Sequence, residues 1–174
     1  LVKEGKVDEK LIDDSTRRIL KVKFELGLFE DPYKYCNLDR ESTIGSEENH
    51  KAVLEIAKKS IVLLKNENNL LPLNKKGQKI ALIGPLAADK TSPLGSWRIA
   101  ADDNTAISVL EGLQKYADNK INYAKGVELT KGKPKFIFET TINKTDNSGF
   151  NKAIQIAKNN DVVIMVLGEH GLQS

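Results

Sequence analysis

The chain has 174 residues, of which 40% are hydrophobic and 29% charged, and its formal net charge is +3. That length suffices for one domain and some additional structure, and the apolar content is ample for a core. The lysines are scattered among Asp and Glu, so the charge does not indicate nucleic acid as a partner, and no apolar run approaches the roughly 18 residues of a membrane span.

The first predicted element is a helix over residues 9–26. Apolar side chains recur there at spacings of three and four, as at Ile12, Ile19 and Val22. Gly27 then stands where a left-handed C-cap residue is expected. An amphipathic helix of this length has to bury its apolar stripe, so we expect it to pack against a larger body or the next domain.

Residues 30–47 show little periodicity and contain turn-forming residues, which predicts a linker. A second helix is predicted over residues 46–60, with Ser46 as a candidate N-cap and acidic residues in the first turn. The apolar run at residues 61–66 predicts a short buried strand.

The rest of the chain alternates strands with helices. Strands are predicted at residues 79–85, 121–124 and 161–168, and helices at 108–116 and 150–159. Continuous apolar strands are typical of parallel sheets covered on both faces. The pattern predicts an α/β fold, a three-layer sandwich with a mostly parallel sheet and right-handed crossovers. We expect the sheet to be incomplete, because the last strand ends a few residues before the chain does.

Metal and disulfide chemistry are not indicated. Cys36 is the single cysteine, and His50 and His170 do not stand at a chelating spacing, so we expect no metal and no cofactor. The first residue is Leu1 and the segment after it is too polar for a signal peptide, so the sequence reads as an excerpt of something longer.

Four runs, taken in order, carry a family resemblance. They are RRILKVKFELGLFEDPY at 17–33, AKKSIVLLKN at 57–66 followed by LPL at 71–73, KIALIGPLA at 79–87 followed by GSW at 95–97, and DVVIMVLGE at 161–169. Together they resemble glycoside hydrolase family three, in particular its periplasmic β-glucosidase-like members. The resemblance spans nearly the whole chain, except for about residues 129–145.

The resemblance implies a division of the chain. Residues 1–29 would be the terminal helix of a missing (β/α)8-type barrel domain, residues 30–47 the interdomain linker, and residues 48–174 a truncated α/β sandwich second domain. It also implies a retaining, exo-acting β-glycosidase. Its Asp nucleophile would lie upstream of Leu1 and its acid/base Glu shortly beyond Ser174, so we expect no catalytic carboxylate in these residues and no activity of the fragment alone.

The resemblance also implies substrate contacts. Trp97 would stack on a sugar face in the aglycone-side wall, with a buried loop anchor as the alternative. Glu169 would bond backbone amides of the catalytic loop, contact the active site directly, or itself be the acid/base. His170 and Gln173 would line the cleft. The expected partners are a β-glucoside or oligosaccharide and the missing barrel domain, in a periplasmic or extracellular location.

The sequence also bears on other classes of function. A non-catalytic α/β module that binds a ligand or partner remains an alternative. A receiver-type signalling domain requires acidic residues after its first strand, which residues 79–85 do not offer. A nucleotide-binding loop at residues 84–90 would need more glycines and a Gly-Lys-Ser/Thr ending, so it is rejected.

Overall fold

The computed structural model describes residues 1–98, 101–116, 118–136 and 138–173. The chain divides into two compact units, Leu1–Lys65 and Asn66–Ser174. The predicted boundaries at residues 29/30 and 47/48 are not tested by this division and stay predictions.

The first unit contains two α-helices, both of which were predicted, and a short 3-10 helix, Leu38–Thr43. Helix α1 (Glu9–Glu25) is followed by Gly27 with φ +69° and by a bond of 3.0 Å from the Leu28 N–H to the Lys23 carbonyl, as a glycine C-cap requires. Helix α2 (Glu47–Ser60) begins at Ser46, whose Oγ accepts from the Asn49 N–H at 3.3 Å. Over these fully described spans neither helix buries a side chain.

The strand predicted at residues 61–66 is wrong. The structure assigns no strand there, and Leu64, for example, is 91% exposed. The apolar run carries the propensity of a strand, but a strand forms only where a neighbour completes its ladder, and no such pairing is found for this segment among the described residues. The chain instead turns at Asn66, whose side chain bonds both backbone polar groups of Leu71.

The second unit is built on three parallel strands, β1 (Lys76–Ile83), β2 (Asp118–Ala124) and β3 (Val162–Met165). Their order is β2-β1-β3, so β1 is central. The register pairs Ile83 with both Ala124 and Met165. The three strands therefore end level with one another, and the segments that follow them emerge at one edge of the sheet.

Helices α3 (Val109–Tyr116) and α4 (Phe150–Lys158) connect the strands. The β1-α3-β2 and β2-α4-β3 connections run in opposite directions along the sheet. Right-handed crossovers in opposite directions place their helices on opposite faces, which gives the predicted three-layer α/β architecture.

The core follows the alternation of β1. Ala81 and Ile83 are buried on one face in a cluster with Ala124 and Ala153, the last from α4. Ile80 and Leu82 alternate to the other face and are 1% and 0% exposed. Both faces of β1 are thus covered over residues 80–83, which explains why this second half of the strand is continuously apolar.

Candidate functional site at the carboxyl edge of the sheet

The backbones of β1 and β3 meet closely where both strands end. The Val166 N–H, just after β3, donates to the Ile83 carbonyl of β1 at 2.7 Å. On the other side of β1, the Gly84 N–H donates to the Ala124 carbonyl of β2 at 3.1 Å. Gly84 has φ +134°, a region that side chains rarely adopt. This close contact between the strand ends fixes the directions in which the loops after β1 and β3 leave the sheet.

The loop after β1 is organised by the carboxylate of Asp89. It accepts from the Thr91 N–H at 2.7 Å, from the Ser92 N–H at 3.0 Å and from the Ser92 hydroxyl at 2.6 Å. These bonds fold the loop into a turn that leads into a short 3-10 helix, Ser92–Leu94.

Burial acts to raise the pKa of Asp89. The hydrogen bonds from Ser92 and Thr91, together with the charge of His170, outweigh that effect and hold the pKa of Asp89 below its ordinary value. The group is therefore ionised at neutral pH and acts as an acceptor, which suits the three donors around it.

The loop after β3 is joined to the loop after β1. The Gly171 N–H donates to Ser92 Oγ at 3.2 Å, across 79 positions of sequence. A Cβ at Gly171 would lie 2.8 Å from the Ser92 carbonyl oxygen, so the two backbones touch at a position that only glycine fits. We call Asp89, Ser92 and Gly171 the loop bridge.

Two predicted site residues lie together in the loop after β3. The His170 N–H donates to Gln173 Oε1, and the Gln173 N–H donates to the His170 carbonyl at 2.9 Å. His170 Nδ1 also accepts from the Leu172 N–H at 3.1 Å, which closes a compact turn. Glu169 precedes this turn and is exposed.

Trp97 is 87% exposed, so within the described residues it is not a buried anchor. It follows the 3-10 helix and Gly95, whose φ is +78°. The next residue, Arg98, is largely covered and pairs with Asp103 at 2.7 Å. An anchored Arg98 beside an exposed indole leaves the ring free to contact a ligand.

Asp89 and His170 also line a cleft of about 470 Å³ between the loops that follow β1 and β2. Tyr123 lies in it, and burial raises the pKa of the Tyr123 phenol. Lys125 and Glu128 pair in the same cleft at 2.7 Å. The charges of Lys125 and Glu128 therefore compensate each other within the cleft.

Metal ligation finds no support in the described part of the chain, where no group of three His, Cys, Asp or Glu side chains could hold an ion. Cys36 is a free, exposed thiol. None of the helices in the described ranges combines the length and apolar character that crossing a bilayer requires. The expected acid/base position past Ser174 lies outside the described residues.

These features define a class: an open parallel α/β domain whose candidate site is formed by loops at the carboxyl edge of the strands. The glycosyl hydrolase family 3 C-terminal domain matches residues 61–173, and the chain belongs to this family. The family resemblance inferred from the four sequence runs is thereby confirmed.

Relatives and solved structures agree with that assignment. The chain is 38% identical over 182 residues to a periplasmic beta-glucosidase of Salmonella typhimurium, covering 97% of this chain and 24% of the relative. It is 38% identical over 166 residues to a beta-xylosidase of Formosa agariphila, covering 91% and 21%. The beta-glucosidase from Listeria innocua in complex with glucose superposes with a TM-score of 0.76 at 33% identity, covering 98% of this chain and 21% of that one.

The chain thus spans less than a quarter of the length of these relatives. Sequence reasoning selected Trp97 and the loop of Glu169, His170 and Gln173, whose roles toward a substrate stay predictions. It missed the loop bridge. The Asp89-x-Thr91-Ser92 pattern after a strand is a recognisable turn signal, but nothing in the sequence indicates its bond to Gly171.

Proposed function

We propose that this chain is part of a retaining, exo-acting β-glycosidase, β-glucosidase-like, that hydrolyses terminal non-reducing β-D-glucosyl residues. Its α/β domain completes an active site whose other half belongs to a barrel domain of the same protein. The observation that carries this proposal is the loop bridge, which holds the segment after β3 at the carboxyl edge beside the loop of Trp97. Family membership supplies the reaction class.

The retaining reaction needs two carboxyl groups about 5–5.5 Å apart, one as nucleophile and one as acid/base. In our proposal the barrel carries the nucleophile and the segment shortly beyond Ser174 carries the acid/base. A closing cleft between two domains excludes water and raises the pKa of the proton donor to a useful value. The fragment alone would then be inactive.

The predicted site residues take distinct roles in this proposal. The exposed Trp97 indole stacks on the sugar of the aglycone side. Glu169 is exposed before the turn of His170 and Gln173, so its carboxylate can bond amides of the segment that follows or contact the substrate. His170 and Gln173 shape the cleft wall.

Substrate and location are also inferred from relatives. Both beta-glucosidases and beta-xylosidases are similar to this chain, so two substrates come into question, a β-glucoside and a β-xyloside. Their pyranose rings differ by a hydroxymethyl group. We favour the glucoside, and an exported location, periplasmic or extracellular, in line with the periplasmic relative. The exposed apolar side chains of α1 suit packing against the barrel.

The test uses the full-length protein that contains this chain. We expect turnover of aryl β-glucosides above that of aryl β-xylosides, and NMR of the first product should show the β-anomer. The 174-residue chain alone should give no turnover. Inversion at the anomeric carbon, or absence of turnover of either glycoside by the full-length protein, would overturn the proposal and favour a ligand- or partner-binding module.

A further inference from the structure

We propose that Asp89 and Ser92 are positioning residues, which hold the loop after β3 in place through the loop bridge and so set the place of the proton donor. This inference rests on the proposed function, since it assigns a catalytic consequence to a bridge between two loops.

The loop bridge depends on which group receives the hydroxyl proton of Ser92. A serine hydroxyl has one hydrogen and two lone pairs. The Asp89 carboxylate receives that hydrogen at 2.6 Å, which leaves Ser92 Oγ to act as an acceptor. The Gly171 N–H occupies the acceptor side at 3.2 Å. The ionised Asp89 therefore orients the hydroxyl for the bond that joins the loops.

Steric contact sets the spacing of the same two loops. A Cβ at Gly171 would lie 2.8 Å from the Ser92 carbonyl oxygen and 2.9 Å from its Cα. Any side chain at this position would push the loop after β3 away from the loop after β1. The hydrogen bond and the close backbone approach both put Gly171 in direct contact with Ser92.

The chain beyond the bridge has little freedom to absorb a displacement. His170 and Gln173 exchange hydrogen bonds around Gly171, and the Leu172 N–H donates to His170 Nδ1, so three bonds hold this turn together. A group that protonates a leaving oxygen must be held closely, and a misplacement of about 1 Å can lower the rate about 100-fold. Loosening the bridge should therefore impair proton donation more than it impairs binding.

The experiment separates proton donation from the rest of catalysis through the leaving group. In the full-length protein, kcat/KM is measured for phenyl β-glucoside, which needs a proton on the departing oxygen, and for 2,4-dinitrophenyl β-glucoside, which departs readily without one. We expect Ser92→Ala to lower kcat/KM at least ~10-fold on the phenyl substrate and less than ~3-fold on the dinitrophenyl substrate. Ser92→Thr keeps the hydroxyl and should restore most of the loss.

Asp146→Asn is the matched control. Asp146 also accepts from a backbone N–H two residues on, that of Ser148 at 2.9 Å, but this bond stays within one loop. We expect Asp146→Asn to leave unchanged the ratio of the kcat/KM values for the phenyl and dinitrophenyl substrates. Should Ser92→Ala fail to fold, Asp89→Asn provides the second variant. The Asn side chain is neutral, so it accepts the hydrogen bond from the Ser92 hydroxyl more weakly than the Asp89 carboxylate does.

Three outcomes decide the matter. A selective loss on the phenyl substrate supports the bridge as a positioning device. Equal losses on both substrates, or no loss on either, overturn it while leaving the proposed function intact. Absence of turnover of both glucosides by the unmodified full-length protein defeats the proposed function, and the positioning role then falls with it.

Discussion

Gly84 and Val166 touch where β1 and β3 end: a Cβ at Gly84 would lie 2.1 Å from the Val166 carbonyl oxygen. No side-chain rotation relieves such a contact, because both partners are backbone. The φ of +134° at Gly84 imposes the same restriction independently. Glycine at this position is thus a requirement of the sheet edge that carries the candidate site.

Gly84→Ala should destabilise the α/β unit by about 3 kcal/mol or prevent its folding, because strain and steric overlap add. Gly112→Ala is the matched control, since Gly112 lies inside α3 and an added Cβ there meets nothing within 4 Å. That control should be neutral or stabilising by about 0.5–1 kcal/mol. Urea unfolding followed by circular dichroism measures both, and equal stabilities for the two variants would contradict the argument.

Leu82→Ala should cost about 2–5 kcal/mol, because Leu82 is 0% exposed in the central strand and its truncation leaves a cavity. Leu167→Ala removes the same atoms from a side chain that is 64% exposed, and should cost below about 1 kcal/mol. The same unfolding measurement compares them. A cost for Leu167→Ala as large as that for Leu82→Ala would place the core elsewhere.

Glu111 should make stability depend on acid pH. Hydrogen bonds from the Ser108 N–H, Lys90 and the Ser108 hydroxyl lower the pKa of Glu111 from 4.5 to about 2, against a smaller opposing effect of burial. Because the folded-state pKa is the lower one, this stabilisation is present above pH ~4.5 and is lost as the pH falls toward ~2.

Glu111→Gln should therefore lower the urea midpoint at pH 6, and its difference from the unmodified chain should shrink as the pH is lowered to 2. The reciprocal bonds between Ser108 and Glu111 form a capping box at the start of α3, so Ser108→Ala should also lower the midpoint. A Glu111→Gln difference that stays constant from pH 6 to pH 2 would contradict the assigned pKa shift.

Trp97→Ala in the full-length protein should raise KM for a β-linked disaccharide about 2- to 10-fold, the range expected for one lost aromatic contact. Folding should be unaffected, because the side chain is 87% exposed. Trp97→Phe keeps a ring and should recover part of the affinity. Unchanged KM and kcat for Trp97→Ala would remove this residue from the substrate-binding surface.

Most of the fold could be predicted from the sequence, because helices and strands repeat their apolar residues at different spacings. The apolar run in the second half of β1 and the three-and-four spacing of α1 each gave the correct type of element, although β1 begins at Lys76, before the predicted strand at 79–85. The last strand was predicted over residues 161–168 but ends at Met165, since the chain leaves the sheet near the crossing with Gly84. The run at residues 61–66 has the composition of a strand, but no neighbouring strand pairs with it in the described part of the chain. Composition alone does not show whether a neighbouring strand is present.

The site was less predictable for a physical reason. Trp97 and Glu169 were found through family resemblance, which transfers residue types at matched positions. The bond between Ser92 and Gly171 spans 79 positions and depends on two loops that meet only after the sheet has formed. A local pattern can indicate the turn at Asp89, but the long-range contact follows from the topology.

The level ends of the strands and the loop bridge together constrain how this domain can be re-engineered. Exchanging the segment after β1 for that of a relative would have to keep Ala87, which belongs to this segment and is 0% exposed. The graft would also remove the hydrogen bond to the segment after β3 unless both segments are exchanged together. Loop transplants between such domains should therefore be made in pairs, with Ser92 and Gly171 inherited from the same parent.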